Sequence, residues 1–168
     1  MRAQLTTLFA ALLTLLAACS RAEESSQPLA PNMQQGASHT EGDLQWVAST
    51  AIMESFPVQL ATTVKVANVG RKPAVVEQSS GCPVFLRAYR TPDRTGSPAW
   101  DQAQQVYCTM AIQVIQLGPG ESRTFTTRAN AAEILGDSLP NGRYYLSVYV
   151  NKTGAAIELQ AGEADLAR

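Results

Sequence analysis

From Asp43 onward the chain is written largely in period two. Leu44, Trp46 and Ala48 alternate with polar neighbours and predict a strand running to about Met53. Val58, Leu60, Thr62, Val64 and Val66 alternate with Gln59, Ala61, Thr63, Lys65 and Ala67, the clearest half-buried strand in the chain. Residues 68–73 bring Asn, Gly and Pro together and predict a turn. A third strand follows over 74–78, and a fourth over 84–90. Residues 91–98 hold two prolines, an Asp and a Gly, the composition of an exposed turn. Beyond Trp100 a polar stretch leads to Val106, Tyr107 and Cys108. Ile112, Val114 and Leu117 then belong to a strand ended by Gly118-Pro119-Gly120. Residues 121–128 alternate around Phe125, and 144–150 place Tyr144, Leu146, Val148 and Val150 on one face. A hairpin turn at 151–154 and a last strand at Ile157 and Leu159 precede a polar tail. The one convincing helix signal is 130–136: Asn130 as cap, Glu133 three residues on as in a capping box, and Gly136 as terminator. Seven to eight short strands with one short helix predict an all-β, antiparallel β-sandwich. A tyrosine opening a late strand before a final hairpin suits an immunoglobulin-like topology.

The amino-terminal part obeys no such period. Residues 5–18 are uncharged and mostly apolar, preceded by Arg2 and ending in small residues. The run is shorter than the roughly 20 apolar residues a spanning helix needs, and its order fits a secretory signal. Leu16-Ala17-Ala18-Cys19 resembles a bacterial lipobox. That resemblance implies cleavage before Cys19 and lipidation of its thiol, which anchors a protein to a membrane without spanning it. Ser20 stands where Asp often signals inner-membrane retention, which favours the outer membrane in a two-membrane host. Residues 20–42 are polar and rich in Ser, Gln, Pro and Gly, the composition of a disordered tether. The expected organisation is thus a signal peptide at 1–18, a lipidated cysteine and tether at 19–42, and the sandwich at 43–168, in the bacterial envelope and facing an oxidising compartment.

Charge narrows the partners. With 13 basic and 14 acidic side chains and no basic stripe, nucleic acid is not an expected partner. The only histidine, His39, falls in the expected tether, so no Ser-His-Asp or Cys-His pair has a place in the domain. There is no His/Cys cluster at zinc spacing and no Gly-rich phosphate loop, so neither metal nor cofactor is expected. Asp43, Glu77, Asp101 and Glu121 fall at strand ends and turns, where solvated roles are the rule. The chain reads as a non-enzyme.

Three cysteines would leave an odd thiol in an exported protein. Lipidation uses Cys19 and leaves Cys82 and Cys108, which form either a disulfide or two buried thiols. A bridge would close a loop of about 25 residues, worth roughly 3 kcal/mol in the chain-entropy model. A loop so tied, carrying Pro92, Arg94, Pro98 and Trp100, is the candidate partner-binding segment. Arg94, flanked by Arg87 and Arg90, would suit an acidic protease pocket. The same residues also read as a solvated turn with Trp100 in the core. Asn151-Lys152-Thr153 matches an N-glycosylation triplet, but it also reads as the hairpin turn itself.

Four segments in order resemble the BsuPI-type intracellular proteinase inhibitor family, whose members have an immunoglobulin-like fold. Val64-Lys65-Val66-Ala67-Asn68 is similar to its strand ending in Asn before a turn, and Gly96-Ser97-Pro98-Ala99-Trp100 to its Gly-x-x-x-Trp segment. Leu117-Gly118-Pro119-Gly120-Glu121-Ser122 is similar to its Pro-Gly-Glu turn, and Pro140-Asn141-Gly142-Arg143-Tyr144 to its Pro-x-Gly-x-Tyr strand opening. The resemblance covers about 58–150 and rests on turn and corner residues, so it implies the fold more than the activity. The export signal and the two extra cysteines depart from a cytoplasmic inhibitor. The expected function is a membrane-anchored, non-catalytic interaction module engaging an envelope protein; the alternative is an inhibitor of an envelope or extracellular protease.

Overall fold

A computed structural model describes residues 31–168. The expected signal peptide, Cys19 and the expected tether up to residue 30 lie outside the described residues. The described chain forms β1 (Asn32–Glu41), β2 (Leu44–Met53), β3 (Gln59–Asn68), β4 (Ala74–Gln78), β5 (Val84–Tyr89), β6 (Trp100–Asp101), β7 (Gln113–Leu117), β8 (Ser122–Asn130), the helix α1 (Ala131–Leu135), β9 (Gly142–Val150) and β10 (Ile157–Leu166). Every pairing is antiparallel. Two four-stranded sheets, β1-β2-β3-β8 and β10-β9-β5-β6, enclose the core, and β4 with β7 forms a separate ribbon.

Alternation explains the core. Trp46, Ala48, Leu60, Val64 and Val66 come from one sheet, and Leu86, Leu146, Val148, Val150 and Leu159 from the other, all buried. The four expected residues of β9 share that inner face and are fully enclosed. Tyr144 donates from its hydroxyl to Pro140 O at 2.8 Å, the corner contact expected of an immunoglobulin-like sandwich. The helix is capped reciprocally: Glu133 N donates to Asn130 Oδ1, and Asn130 N to Glu133 Oε2, both at 2.9 Å. Gly136 ends it at φ 48°.

The eight expected strands are present, joined by β1 and the two-residue β6. Residues 32–41, expected as tether, are instead paired along β2 from Asn32↔Ile52 to Glu41↔Leu44. The composition hides this strand because β1 is an edge whose side chains mostly face water, so its backbone ladder needs no apolar period. His39 sits opposite Trp46 in that ladder, exposed. β1 also closes one seam of the sandwich against β10. Gly36 makes that approach: a Cβ there would run into Gln160 O and lie 2.9 Å from Ala48 O. Thr50 Oγ1, buried in β2, donates across the same seam to Ala161 O at 2.7 Å.

β10 likewise runs past the expected end, through the polar tail to Leu166. The pairing register with β9 shifts between Gln160 and Glu163, where Gly162 adopts φ 96°. That bulge changes the phase of the alternation. Ala161, Ala164 and Leu166 are all buried although they do not lie on one period-two series.

Two buried glutamines make opposite demands. Gln102, in a single 3-10 turn after β6, accepts from Leu86 N at 2.9 Å and from Thr127 Oγ1 at 2.6 Å, and donates to Arg128 O at 2.8 Å. It spans the open seam between β5 and β8. Gln78, 1% exposed at the end of β4, has neither amide atom bonded within the described residues. The same substitution should therefore act with opposite sign. Gln102→Met should destabilise by about 2 kcal/mol, because Leu86 N–H is left buried and unpaired, while Gln78→Met should stabilise by about 1 kcal/mol. Thermal melting of the two variants checks both signs; a lower Tm for Gln78→Met would mean that its amide has a partner in solution.

Candidate functional site

Cys82, just before β5, and Cys108 form a disulfide with a Cα–Cα separation of 5.6 Å. Such a bond belongs to an oxidising compartment. Its surroundings are fixed independently. Gly81 N donates to Thr109 O at 2.9 Å, and Asn151 N to Pro83 O at 2.9 Å. The Asn151 side chain donates to Ser80 Oγ at 2.8 Å and to Cys82 O at 3.3 Å. The nitrogen that a glycan would need is thus occupied in holding the disulfide segment to the end of β9.

The expected partner-binding loop has a different use. Arg94, expected as a projecting tip, folds back instead. Its Nε donates to Leu146 O at 3.0 Å, Nη1 to Pro92 O at 2.8 Å and Nη2 to Gly162 O at 2.9 Å. The guanidinium also lies 5.7 Å from the Tyr145 ring centre. The residue ties the turn to β9 and to the β10 bulge. Trp100 pairs with Ala88 in β6 and packs against the core, and Pro98 is half-buried. Pro92 is exposed but gives its carbonyl to Arg94. The four residues share a segment without forming a displayed surface.

Arg87 and Arg90 are engaged as well. Arg90 donates to Tyr144 Oη at 3.3 Å. Arg87 bonds Asp101 at 3.0 Å and Glu158 at 2.7 Å, with its guanidinium 4.4 Å from the Tyr149 ring centre. Glu158 also accepts from Tyr89 Oη at 2.7 Å and from Ser147 Oγ. Sequence reasoning passed over Glu158, because a carboxylate on a strand face carries no local signal; only the sheet order brings these residues together. Burial pushes the Glu158 carboxyl up, but hydrogen bonds from Ser147 and Tyr89 and the charge and hydrogen bond of Arg87 outweigh it and hold the group below the ordinary glutamate value. Burial and the bond to Glu158 push the Tyr89 hydroxyl up. A carboxylate so stabilised is a weak base, and Ser147 beside it is 1% exposed. The cluster clasps β5, β9 and β10 together. Among the described residues no group of His, Cys, Asp and Glu side chains is placed to hold a metal ion, and no helix is long and apolar enough to cross a membrane.

The segment after the 3-10 turn displays apolar side chains. Tyr107 is fully exposed, Met110 is 90% exposed, and Ile112, Val114 and Val75 are each at least half exposed. No charged residue occurs between Asp101 and Glu121. The signal was present in the strand itself. Ile112 and Val114 alternate in phase with each other and out of phase with Leu117, so one face cannot bury all three. Leu117 is buried and Ile115 half-buried, which turns Ile112 and Val114 outward. This apolar surface stands where β9 ends: Gln78 bridges Lys152, and Leu117 O accepts from Asn68 Nδ2 at 2.9 Å. Asn32, where the described strands begin, lies at the other end of the sandwich, pairing with Ile52 and lining a cleft with Arg143 and Asp165.

No family model matches the chain, and no curated protein matches it. Among solved structures it is similar to a β-glucosidase from Kluyveromyces marxianus in complex with glucose, at 16% identity and TM-score 0.35 over 82% of this chain and 14% of that one. A β-glucosidase from Erythrobacter marinus gives 13% identity and TM-score 0.33 over 79% of this chain and 15% of that one. One from Listeria innocua in complex with gluconolactone gives 14% and 0.31 over 82% and 16%. The chain spans about one seventh of the length of these proteins, and the likeness carries no argument about what it does.

The Glu158 cluster has a pH signature. Its folded pKa lies below the unfolded value of about 4.3, so its contribution to stability is complete above that value and is lost as pH falls through the folded pKa. Glu158→Gln should cost about 1–2 kcal/mol at pH 7 and flatten the decline in Tm below about pH 4. Melting curves from pH 7 to 3 test this, and parallel declines in the two proteins would refute it.

Proposed function

We propose that the chain is a membrane-anchored, non-catalytic interaction module of the bacterial cell envelope, held by Cys19 and engaging another envelope protein through its apolar far end. The observation that carries this reading is the uncharged segment with Tyr107, Met110 and Ile112 exposed, pinned at Cys108. Several large apolar side chains exposed in one uncharged segment of a folded domain point to an interaction site. The disulfide and the Gly81–Thr109 bond limit the ordering cost of using it. The lipobox resemblance supplies the anchor, and the disulfide agrees with an exported domain. Inhibition of an envelope or extracellular protease was expected to run through Arg94, whose donors already serve Leu146, Pro92 and Gly162. The apolar end is the better supported contact.

Two measurements bear on this. Cys19→Ser should move the full-length protein from the membrane fraction to the soluble one; unchanged membrane association would remove the anchor. Crosslinking of tagged full-length protein in intact cells, with mass spectrometry of what is captured, should identify an envelope partner. Replacing Tyr107 and Met110 together by Ser should lower that capture at least tenfold, about 1.4 kcal/mol, with the melting temperature unchanged. Undiminished capture would sink the reading.

A further inference from the structure

The edges of the sandwich are treated unequally. β1 lies against β10 at the closed seam, and β10 carries Glu158, Glu163 and Asp165. β8 carries Arg123 and Arg128, and β6 is two residues long. These are the usual protections of an edge. β7 has none of them: Gln113-Val114-Ile115-Gln116-Leu117 is uncharged, lacks proline, and among the described residues pairs with β4 alone.

The direction of its free backbone groups follows from β4. Glu77 O accepts from Thr153 N at 2.8 Å, and Ser79 N donates to Asn151 O at 3.3 Å. Because backbone direction alternates along a strand, Ala74, Val76 and Gln78 turn their groups toward β7. Their partners Leu117, Ile115 and Gln113 are thereby used. Ile112, Val114 and Gln116 turn theirs outward, to the open edge.

We infer that this edge pairs antiparallel with β7 of a second copy of the chain, with the two-fold axis at Val114. Of the two-fold registers, this one pairs the three outward residues with one another alone: Val114 faces Val114, and Ile112 faces Gln116 from both sides. An axis at Ile115 would bring Gly118 into the pairing, but Gly118 N already donates to Glu121 Oε2 at 2.7 Å and Pro119 follows. Charge favours a second copy as the occupant. No charged residue meets another across the axis. The nearest, Glu77 opposite Val114 on β4, would lie three strand spacings from its counterpart, about 14 Å, beyond the screening length of about 8 Å at physiological salt. A charged strand would find no counter-charge on this edge. The exposed side chains Ile112, Val114 and Val75 would then extend across a doubled ribbon. With five residues in each strand, against roughly 20–30 a side in a standard interface, the pair is weak in dilute solution. It forms where copies are concentrated.

Self-pairing needs no other protein, so the inference stands apart from the interaction-module reading. Val114→Cys in the full chain, produced in bacterial cells, should give a reducible species of twice the chain's mass on non-reducing electrophoresis, since a hydrogen-bonded antiparallel pair sets the Cα atoms about 5.5 Å apart, within disulfide reach. Thr124→Cys, on the exposed side of β8, should not. An amine-reactive crosslinker should give the same dimer with the unsubstituted chain, and Val114→Glu should reduce it at least tenfold while the melting temperature holds. The Tyr107→Ser, Met110→Ser protein should still dimerise. Equal dimer from both cysteine variants, no dimer from Val114→Cys, or its capture of a different protein would each overturn the inference.

Discussion

β5 is the strand on which both halves of the sandwich depend, and the constraint is its open side. β9 covers one edge of β5 along its whole length, but β6 covers the other only at Arg87 and Ala88. The buried Leu86 N–H would then have no partner, which the interior does not tolerate. Gln102 supplies one, and the same amide reaches β8. A side chain thus performs the work of an absent strand. To bring Gln102 there the chain must turn at 91–98, return through Trp100, and be fixed again at Cys108. Arg94 fastens the turn from within, and the disulfide fastens the far end. Of the two readings of this segment, the turn with Trp100 against the core fits the structure, and the segment closes the fold.

That difference marks what the sequence could and could not say. The inner faces were legible, because burial imposes period two on β2, β3, β8 and β9 and the capping box announces α1. Strand edges were not, because an edge needs backbone partners and not apolar side chains; β1 therefore read as tether. β10 was half legible, since the bulge at Gly162 shifts the phase of its buried residues. The anchoring of Arg94 is silent too, because the backbone carbonyls of β9 and β10 that hold it leave no trace near it in sequence. Glu158 and its partners were equally silent, lying up to 71 residues apart.

The outward turn of Ile112 and Val114 was legible in principle. Three apolar residues at 112, 114 and 117 cannot share a strand face; parity sets Ile112 and Val114 against Leu117, and the burial of Leu117 decides which side is exposed. The strength of that signal lies in its contrast with the rest of the surface. Tyr145 and Tyr149 on the neighbouring sheet each lie beneath an arginine guanidinium. Tyr107 has no such partner in a segment without a single charge.

The two ends of the sandwich therefore carry different obligations. At the end holding Asn32, the groups around Arg143 are paired: it bonds Asp165 at 2.8 Å and Glu163 at 3.4 Å. At the other end a disulfide, an engaged Asn151 and a bridge from Gln78 to Lys152 hold a ribbon whose own outer side is unfilled. Rigidity spent on a surface with nothing bonded to it makes sense as preorganisation, because an apolar contact gains from burial only what ordering does not remove. Under the proposed anchoring the paired end is the one nearer the tether, and the uncharged end points away from it. The covalent constraint and the unpaired edge then belong to one arrangement: the disulfide fixes the segment that leads into β7.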